Sequence, residues 1–299
     1  MVTIMPYLIS TFTMIGIYCL FALGLNLQWG FAGLINFGHI AFAAVGAYTA
    51  VILNLHGIPL FLAVLTGLIL SGAVGALLTL PAIRLKADYL AILTLGFSEI
   101  IRYFLVNEIW LTGGPSGLTG FSLPFRGIIP AENYNLFFLG LIFFLVAFSF
   151  ILLQILVKSP WGRVLKSIRE DEKVTKVVGK NVTYYKMQAF VLGSILAGLA
   201  GIMLAFYHSF ISPDYYYPLE TFYAWIIIIV GGSANNWGTL LGSIFLWAFL
   251  NGTRFLTPLV PLPAFTFSAL RMALIGFLLV LMILYRPQGV LGDKKELTF

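Results

Sequence analysis

The sequence predicts an all-α protein, a polytopic bundle of transmembrane helices, and three observations support this prediction. Of the 299 residues, 60% are apolar and 9% are charged, whereas a soluble domain has roughly 45–50% apolar and about 25% charged residues. The apolar residues form continuous runs close to the length of roughly 20 residues that a helix needs to span a bilayer. The strands of a transmembrane barrel would instead alternate apolar and polar residues over about 10 positions.

Nine apolar segments are predicted to be membrane-spanning helices of a single domain, residues 1–299. No Lys or Arg precedes the first segment, so we predict no signal peptide and expect the amino terminus outside. Small residues on the second, third and sixth segments predict close helix packing. The predicted segments are residues 7–28, 39–55, 60–80, 88–110, 135–157, 187–207, 219–232, 238–256 and 265–285.

Basic residues predict the orientation of the bundle. An odd number of spans places the carboxyl-terminal tail, residues 286–299, in the cytoplasm, opposite the amino terminus. Arg84 and Lys86 in the turn before the fourth segment are expected on the same side, because cytoplasmic loops are enriched in Lys and Arg. The sequence therefore predicts a multi-pass protein of the bacterial inner membrane with a cytoplasmic carboxyl terminus.

Two short segments interrupt the apolar runs and are predicted to be broken or re-entrant. Residues 29–38 contain three glycines and Asn36, and residues 233–237 separate the seventh segment from the eighth. Irregular backbone at membrane depth persists only where it is packed in protein or lines a cavity. If either segment is re-entrant, the count of about nine spans becomes eight or ten. Both segments share a Gly-Asn-Gly pattern, a weak sign of an internal repeat with a transport path between its halves.

The most polar stretch, residues 158–186, contains eight of the 17 Lys and Arg residues, so we expect it in the cytoplasm. The net charge of +6 comes mostly from this loop and the tail, and it indicates topology rather than nucleic-acid binding. Residues 167–179 fit a short amphipathic helix that docks a partner, with Gly179 as its C-cap or hinge. The alternative is a solvated loop. The predicted apolar face consists of Ile168, Val174, Val177 and Val178.

The sequence contains no pattern of catalytic residues, so an enzyme is not predicted. The nucleotide-binding motif GxxxxGK[ST], the zinc-binding motif HExxH and the nucleophile motif GxSxG are all absent. Cys19 is the single cysteine, so no disulfide within the chain is possible. We expect no metal site and no cofactor, and any ATP hydrolysis belongs to another subunit.

Polar residues within the spans are candidates for the lining of a translocation path. Glu99 and Arg102 lie three residues apart on the fourth helix and can neutralise each other. Charges within a span usually face the protein interior or a water-filled path, so this pair contacts a zwitterionic substrate or is a structural ion pair. Asn26, Asn36 and His39 surround the first interruption, where they line the path or satisfy backbone groups freed by the break.

Four stretches of the sequence, residues 24–50, 85–120, 161–201 and 285–292, carry a resemblance to a known family. They contain the motifs GLINFGH, LTGGPSG, WGRVLKSIRE and YRPQG. Nearly from end to end, the chain resembles the inner-membrane permease subunits of branched-chain amino acid ABC importers. Within that family it is similar to the LivM-type subunit rather than to its LivH-type partner.

The resemblance implies a set of partners and a role for the central loop. The partners are a second homologous permease that completes a heterodimer, two ABC ATPase subunits and a periplasmic substrate-binding protein, all working at the lipid bilayer without nucleic acid. In other ABC importers, a cytoplasmic permease loop that ends in a glycine couples the ATPases to the permease, and Gly179 resembles that glycine. The acids lie earlier than that motif places its Glu. The candidate coupling residues are Arg163, Arg169, Glu170, Asp171, Glu172 and Gly179.

The resemblance also implies the transported solute, which would be branched-chain or other neutral amino acids. Related permeases carry urea or short amides, and the sequence does not separate these solutes. The alternative from a different class is an ion-coupled secondary transporter. Such a transporter needs an acid within the membrane as its ion site, and Glu99 is the candidate for it.

Overall fold

The computed structural model describes residues 4–82, 87–252, 264–286 and 288–292, and these ranges are predominantly helical. An α-helix occupies each of the nine predicted segments, which confirms the predicted fold class. Arg84, Lys86, residues 253–256 of the eighth segment and residues 293–299 of the tail lie outside the described residues. The α-helices are α1 (Ile4–Leu25), α2 (His39–Leu55), α3 (Leu60–Ala82), α4 (Ala87–Asn107), α5 (Ile109–Thr112), α6 (Tyr134–Lys158), α7 (Pro160–Glu170), α8 (Glu172–Val177), α9 (Val182–His208), α10 (Leu219–Gly231), α11 (Asn236–Gly252) and α12 (Ala264–Tyr285).

Length and apolar composition identify the helices that can cross a membrane. Five helical stretches within the described ranges qualify, and a sixth is added if α10 and α11 count as one span. These two helices meet at a bend of 117°, which confirms the predicted break between the seventh and eighth segments. Helix α2 has 17 residues, slightly fewer than the roughly 20 of a full span. The five stretches are Met5–Phe31, Leu60–Pro81, Asp88–Asn107, Ala131–Lys158 and Val182–His208.

Helix α9 is the centre of the bundle and packs against α1, α2 and α3. Its small residues allow this close approach. A Cβ atom added at Gly201 would lie 2.1 Å from the carbonyl oxygen of Ala43 on α2, and one at Gly198 would lie 2.7 Å from the Ser71 hydroxyl on α3. The same hydroxyl donates to the carbonyl oxygens of Phe42 and Ser194 at 2.9 and 2.7 Å. The predicted small-residue stripe therefore forms a three-helix contact.

The first break begins later than predicted, because α1 continues as a π-helix over Asn26–Phe31. The wider turn ends with the Leu34 N–H donating to the Gln28 carbonyl oxygen at 2.9 Å. Gly33 follows with φ of +69°, a left-handed conformation that glycine adopts without steric cost. Because the π-helix ends at Phe31 and α2 begins at His39, the broken segment is limited to residues 32–38. Single π-helical turns within α-helices are frequent at functional sites.

The central loop forms two helices instead of the single predicted one. Backbone at Asp171 is extended, with φ of −152° and ψ of 105°, and its carboxylate accepts hydrogen bonds from the Lys173 and Val174 N–H groups at 2.8 and 3.1 Å. Asp171 therefore caps a new helix, α8. The four predicted apolar residues do not share a face, because Ile168 on α7 is buried whereas Val174, Val177 and Val178 are exposed.

Gly179 ends α8, as the sequence predicts. Its φ is +81°, and its N–H donates to the Lys176 carbonyl oxygen at 3.0 Å. The next N–H, of Lys180, donates to the Thr175 carbonyl oxygen at 3.3 Å. These two bonds form a Schellman motif, in which a left-handed residue satisfies the last carbonyl groups of a helix.

Candidate functional site

Asn26 in the π-helix joins the two broken segments of the chain. Its side chain is fully buried. The Asn26 Nδ2 donates to Oδ1 of Asn236 at 3.2 Å, and the Asn26 Oδ1 accepts from the Ala234 N–H at 3.1 Å. Asn236 Nδ2 in turn donates to Oε1 of Gln154 on α6 at 3.1 Å. A residue of the π-helix that leads into the first break is therefore bonded to residues at the second break more than 200 positions away.

Asn36 organises the first break from within. Its Nδ2 donates to Oε1 of Gln28 at 2.8 Å, and its Oδ1 accepts from the Gly38 N–H at 2.9 Å. Gln28 Nε2 donates to the carbonyl oxygen of Phe190 on α9 at 2.8 Å. Asn36 also accepts a hydrogen bond from Trp225 Nε1 at its carbonyl oxygen, at 3.2 Å. The side chains of Asn36 and of Trp225 on α10 thus satisfy backbone groups that the break frees, and Gln28 joins Asn36 to α9.

His39 lies at the start of α2 and completes this network. Its Nδ1 is 3.4 Å from Asn36 Nδ2, and its Nε2 is 3.1 Å from the carbonyl oxygen of Phe21. One tautomer satisfies both contacts, with Nε2 donating to the carbonyl oxygen and Nδ1 accepting from the amide. The Ile40 N–H donates to the Thr221 hydroxyl at 3.1 Å, so α2 and α10 begin beside each other.

Three of the five predicted path residues, Asn26, Asn36 and His39, therefore lie together in one buried network. Each of the three side chains has hydrogen-bond partners within the protein, as buried polar groups require. In this conformation they contact protein groups rather than an open channel. Gln28 belongs to the same network, although the sequence analysis did not select it.

Glu99 and Arg102 form the predicted ion pair, apart from the buried network. Arg102 Nη2 lies 2.8 Å from Glu99 Oε2. The guanidinium also lies over the rings of Tyr103 and Tyr217, at 4.6 and 4.8 Å from their centroids. The Glu99 side chain is 37% exposed. The pair is thus held against Tyr217, at the end of the loop that precedes α10.

Glu220 is a second acid within the helical bundle that the sequence analysis missed. It lies in the first turn of α10 and is partly buried. Its carboxylate accepts a hydrogen bond from the hydroxyl of Tyr18 on α1. The residue follows the tyrosine-rich segment 215–217, which is typical of a loop at the membrane interface. An acid one residue inside a predicted span was the available signal.

The central loop contacts the first break directly. Arg169 on α7 donates from Nη1 to the carbonyl oxygen of Gly30. The Lys166 ammonium lies 5.8 Å from the centroid of the Phe31 ring. A Cβ atom added at Gly33 would lie 3.3 Å from Cγ of Arg169. Helix α7 therefore lies against the end of the π-helix, where Arg169 is one of the predicted coupling residues.

Glu172 attaches α8 to the start of α9. Its carboxylate forms ion pairs with Lys186 at 2.6 Å and with Lys176 at 2.7 Å. Partial burial disfavours the charged carboxylate, but the hydrogen bonds and charges of Lys176 and Lys186 outweigh burial and hold the pKa of Glu172 below its usual value. Glu172 therefore stabilises the loop in its charged form.

The remaining predicted coupling residues lie on the outer side of the loop. Val177, which follows them in the chain, is 88% exposed, and Val174 and Val178 are also exposed. We call these three valines the loop face. Lys173, Lys176 and Lys180 surround it. The exposed coupling residues are Arg163, Glu170, Asp171 and Gly179.

Metal chemistry has no candidate site in the described part of the chain. Within residues 4–82, 87–252, 264–286 and 288–292, no group of three or more His, Cys, Asp or Glu side chains is arranged to hold a metal ion. Cys19 is buried and unpaired with another cysteine. The polar groups of the site are amides, hydroxyls, the His39 imidazole and separate carboxylates.

Comparisons with known proteins identify the family. A family model described as the permease component of branched-chain amino acid transport systems matches residues 7–283. The high-affinity branched-chain amino acid transport system permease protein LivM of Salmonella typhimurium is 32% identical over 95% of this chain and 69% of its own length. The LivM protein of Escherichia coli K12 is 33% identical over the same shares.

A second type of permease is also similar. The high-affinity branched-chain amino acid transport system permease protein LivH of Salmonella typhimurium is 24% identical over 92% of this chain and 91% of its own length. No solved structure shows a significant match. Because the family model covers nearly the whole chain and the LivM proteins exceed 30% identity, this chain belongs to the family of permease components of branched-chain amino acid transport systems.

Proposed function

We propose that this chain imports branched-chain amino acids across a bacterial inner membrane as one permease subunit of an ATP-driven complex. The names of its LivM and LivH relatives support the solute and the presence of a second permease. The observation that carries the mechanism is the contact between α7 and the π-helix, where Arg169 bonds to the Gly30 carbonyl oxygen. It connects the exposed loop to the broken helices without an intermediate element.

The loop face is the proposed docking surface for the partner ATPases. Val177 is 88% exposed and Val174 and Val178 are also exposed, at the end of the chain's most basic stretch, which we place in the cytoplasm. Val174 and Val177 lie on the six-residue helix α8 and Val178 is its C-cap residue, and we assign these exposed valines to a protein contact. Arg163, Glu170 and Asp171 lie on the exposed side of the loop and form the polar rim.

Movement of the loop reaches the bundle by two connections. The Glu172 carboxylate bonds to the Lys186 ammonium at the start of α9, and Arg169 bonds to Gly30 at the end of the π-helix. When ATPase closure displaces α8, these connections shift α9 and the π-helix together. Gly179 supplies the hinge, because its left-handed backbone marks the end of α8.

The buried network is the proposed closed point of the translocation path. Asn26 bridges the two breaks and Asn36 and His39 hold the first one. An outward- or inward-open state exchanges these amide hydrogen bonds for bonds to water or substrate, which requires no change of charge. Glu99 and Arg102 form a polar contact nearer the entrance, where a periplasmic binding protein releases its substrate.

The test is ATP-dependent uptake in proteoliposomes that contain this chain and the products of its neighbouring genes. Uptake of labelled leucine, glutamine and urea is measured for the wild type and for two variants. Val177→Glu places a charge on the loop face, and Val290→Glu changes another exposed valine. We expect leucine uptake that needs ATP, and a loss of about 10-fold or more for Val177→Glu alone, with binding of the ATPases weakened in parallel. Equal losses of leucine uptake in the two variants would contradict the proposal that the loop face docks the ATPases.

The solutes decide the rest of the proposal. Uptake of urea in place of leucine would assign the chain to transport of short amides. Uptake by this chain alone, driven by an ion gradient and insensitive to ATP removal, would replace the ATP-driven mechanism with a secondary transporter. In that case a Glu99→Gln variant tests the ion site, because a secondary transporter needs an acid there.

A further inference from the structure

Glu220 is an acid within the bundle that has no cationic partner among the described residues. Its carboxylate accepts a hydrogen bond from the Tyr18 hydroxyl, and in the described part of the chain salt bridges form at Glu99 and Glu172 instead. Ionisable side chains within membrane spans are costly, and they usually mark substrate or ion pathways. Glu220 is partly rather than fully buried, so a ligand can reach it.

The surroundings of the carboxylate are aromatic. The ring of Tyr18 lies 4.9 Å from that of Trp247 and 6.3 Å from that of Tyr223. Trp247 Nε1 is buried and has no hydrogen-bond partner within the described residues, although buried polar groups are normally paired. A carboxylate beside aromatic faces is the combination that recognises an ammonium group, by charge and by cation–π attraction.

The position of Glu220 also fits a substrate site. It lies in the first turn of α10, and Thr221 next to it accepts a hydrogen bond from the Ile40 N–H at the start of α2. Helix α10 then runs to the 117° bend. Glu220 is therefore placed beside the end of the first break, at the other end of α10 from the bend, and discontinuous helices form the substrate sites of many transporters.

An apolar cavity borders the same tyrosine. Tyr18 lines it together with Ile17, Phe21, Ile40 and Leu204, and its volume is about 20 Å³. That volume holds about one water molecule, so an aliphatic side chain fits only after the helices separate. Closure at this point agrees with the closed hydrogen-bond network at the neighbouring break.

We propose that the Glu220 carboxylate binds the α-ammonium group of the transported amino acid. Tyr18 is a positioning residue, since its hydroxyl holds the carboxylate and its ring separates it from the apolar cavity, which widens to take the aliphatic side chain. A metal ion is a poorer occupant, because hard cations need about six oxygen ligands, whereas one carboxylate and one hydroxyl lie here. The inference rests on the proposed function, amino acid import.

The experiment uses the assembled complex in proteoliposomes with saturating leucine-loaded binding protein. Leucine uptake and ATP hydrolysis are measured for wild type, Glu220→Gln, Glu220→Asp and Tyr18→Phe, and Glu132→Gln is the control because Glu132 is an exposed acid in the turn before α6. Loss of a hydrogen bond between charged groups corresponds to about 10–100-fold. We expect Glu220→Gln to lower uptake by about that factor, Glu220→Asp to recover part of it, and ATP hydrolysis to stay near wild type.

The ratio of ATP hydrolysed to leucine imported separates a binding role from a structural one. A structural defect lowers both rates together, whereas loss of substrate recognition raises the ratio. Equal leucine uptake by Glu220→Gln and wild type overturns the inference and leaves the proposed function intact, while a wild type that does not import leucine overturns the proposed function itself. If Glu220→Gln does not assemble, Tyr18→Phe decides: it retains the ring, we expect a raised ratio, and an unchanged ratio overturns the inference.

Discussion

The two broken segments of the chain have similar sequences but are stabilised by different kinds of contact. Gly33 and Gly232 both have positive φ, +69° and +115°. Three residues after each glycine, an asparagine accepts a hydrogen bond from a backbone N–H two positions further on, at 2.9 Å in both cases. The internal similarity predicted from the Gly-Asn-Gly pattern is thus a similarity of backbone geometry.

The differences lie in what surrounds each break. Asn36 is fully buried and bonded to Gln28, whereas Asn235 is only partly buried and donates to the Leu291 carbonyl oxygen at 2.8 Å. A Cβ atom added at Gly232 would lie 2.6 Å from the Gly292 nitrogen, but one at Gly33 would be 3.3 Å from a flexible arginine side chain. Side-chain hydrogen bonds hold the first break, whereas close backbone packing reinforces the hydrogen bonds of Asn26 and Asn235 at the second.

This difference assigns the two breaks different mechanical properties. Amide side chains can exchange hydrogen-bond partners by rotation, without rebuilding the backbone. Backbone packed on backbone has no such freedom, because interiors are close-packed and resist displacement. We therefore expect the first break, which also contacts α7, to change conformation during transport, and the second break to remain a fixed bend.

The largest expected effect comes from adding one methyl group to the fixed bend. Gly232→Ala combines a backbone conformation that L-residues avoid with a contact to the Gly292 nitrogen, so we expect a cost of about 3–5 kcal/mol. Gly33→Ala has a more accessible φ and a flexible neighbour, for which about 1 kcal/mol is expected. Thermal melting of the purified complex in detergent measures both, and equal losses of stability would contradict the proposed difference between the breaks.

Substitutions of the asparagines should show the reverse order, with the larger loss of stability at the first break. Asn36→Ala leaves the side-chain amide oxygen of Gln28 and the Gly38 N–H without Asn36 as their partner in a buried site, so we expect a loss of about 2–4 kcal/mol. Asn235→Ala removes a partly buried residue that caps the start of α11, which costs about 1 kcal/mol. Thermal melting measures both losses of stability. A larger loss for Asn235→Ala than for Asn36→Ala would contradict the proposed difference between the breaks.

Much of the fold follows from the sequence, because apolar runs and glycine-rich interruptions are local features. The helix positions and the bend between α10 and α11 need no knowledge of distant residues. Asn26 meets Asn236 across 210 positions, and no local pattern indicates that pairing. The same limit applies to the contact of Arg169 with Gly30.

Other differences have local causes that compete with the pattern. In the sequence Asp171 is one of three consecutive acids, and nothing marks it as a helix cap. In the structure its carboxylate caps a new helix and divides the predicted one. Glu220 was overlooked because the neighbouring tyrosines suggested a loop. The roles of Arg163, Glu170 and the other coupling residues remain predictions, since they depend on a partner protein.

The smallest expected effect concerns the central loop, whose stability is expected to depend on pH through Glu172. Glu172 has a lowered pKa because Lys176 and Lys186 outweigh its partial burial. A folded-state pKa below the unfolded value of about 4.3 means that the ion pairs stabilise α8 fully above that pH. The stabilisation is lost as the pH falls through the lower folded-state pKa, since protonation removes the charge.

Amide hydrogen exchange of residues 172–186, corrected for the intrinsic pH dependence of exchange, measures this effect. Because the Glu172 side chain is 34% exposed, we expect no more than about 1 kcal/mol of local stability. Protection above pH 5 should fall in Glu172→Gln and stay near wild type in Glu170→Gln, which changes an exposed acid next to it. Equal protection in both variants would mean that the ion pairs do not hold α8 to α9. Helix α8 would then move independently of α9, and the contacts of α7, including that of Arg169 with Gly30, would connect the loop to the bundle.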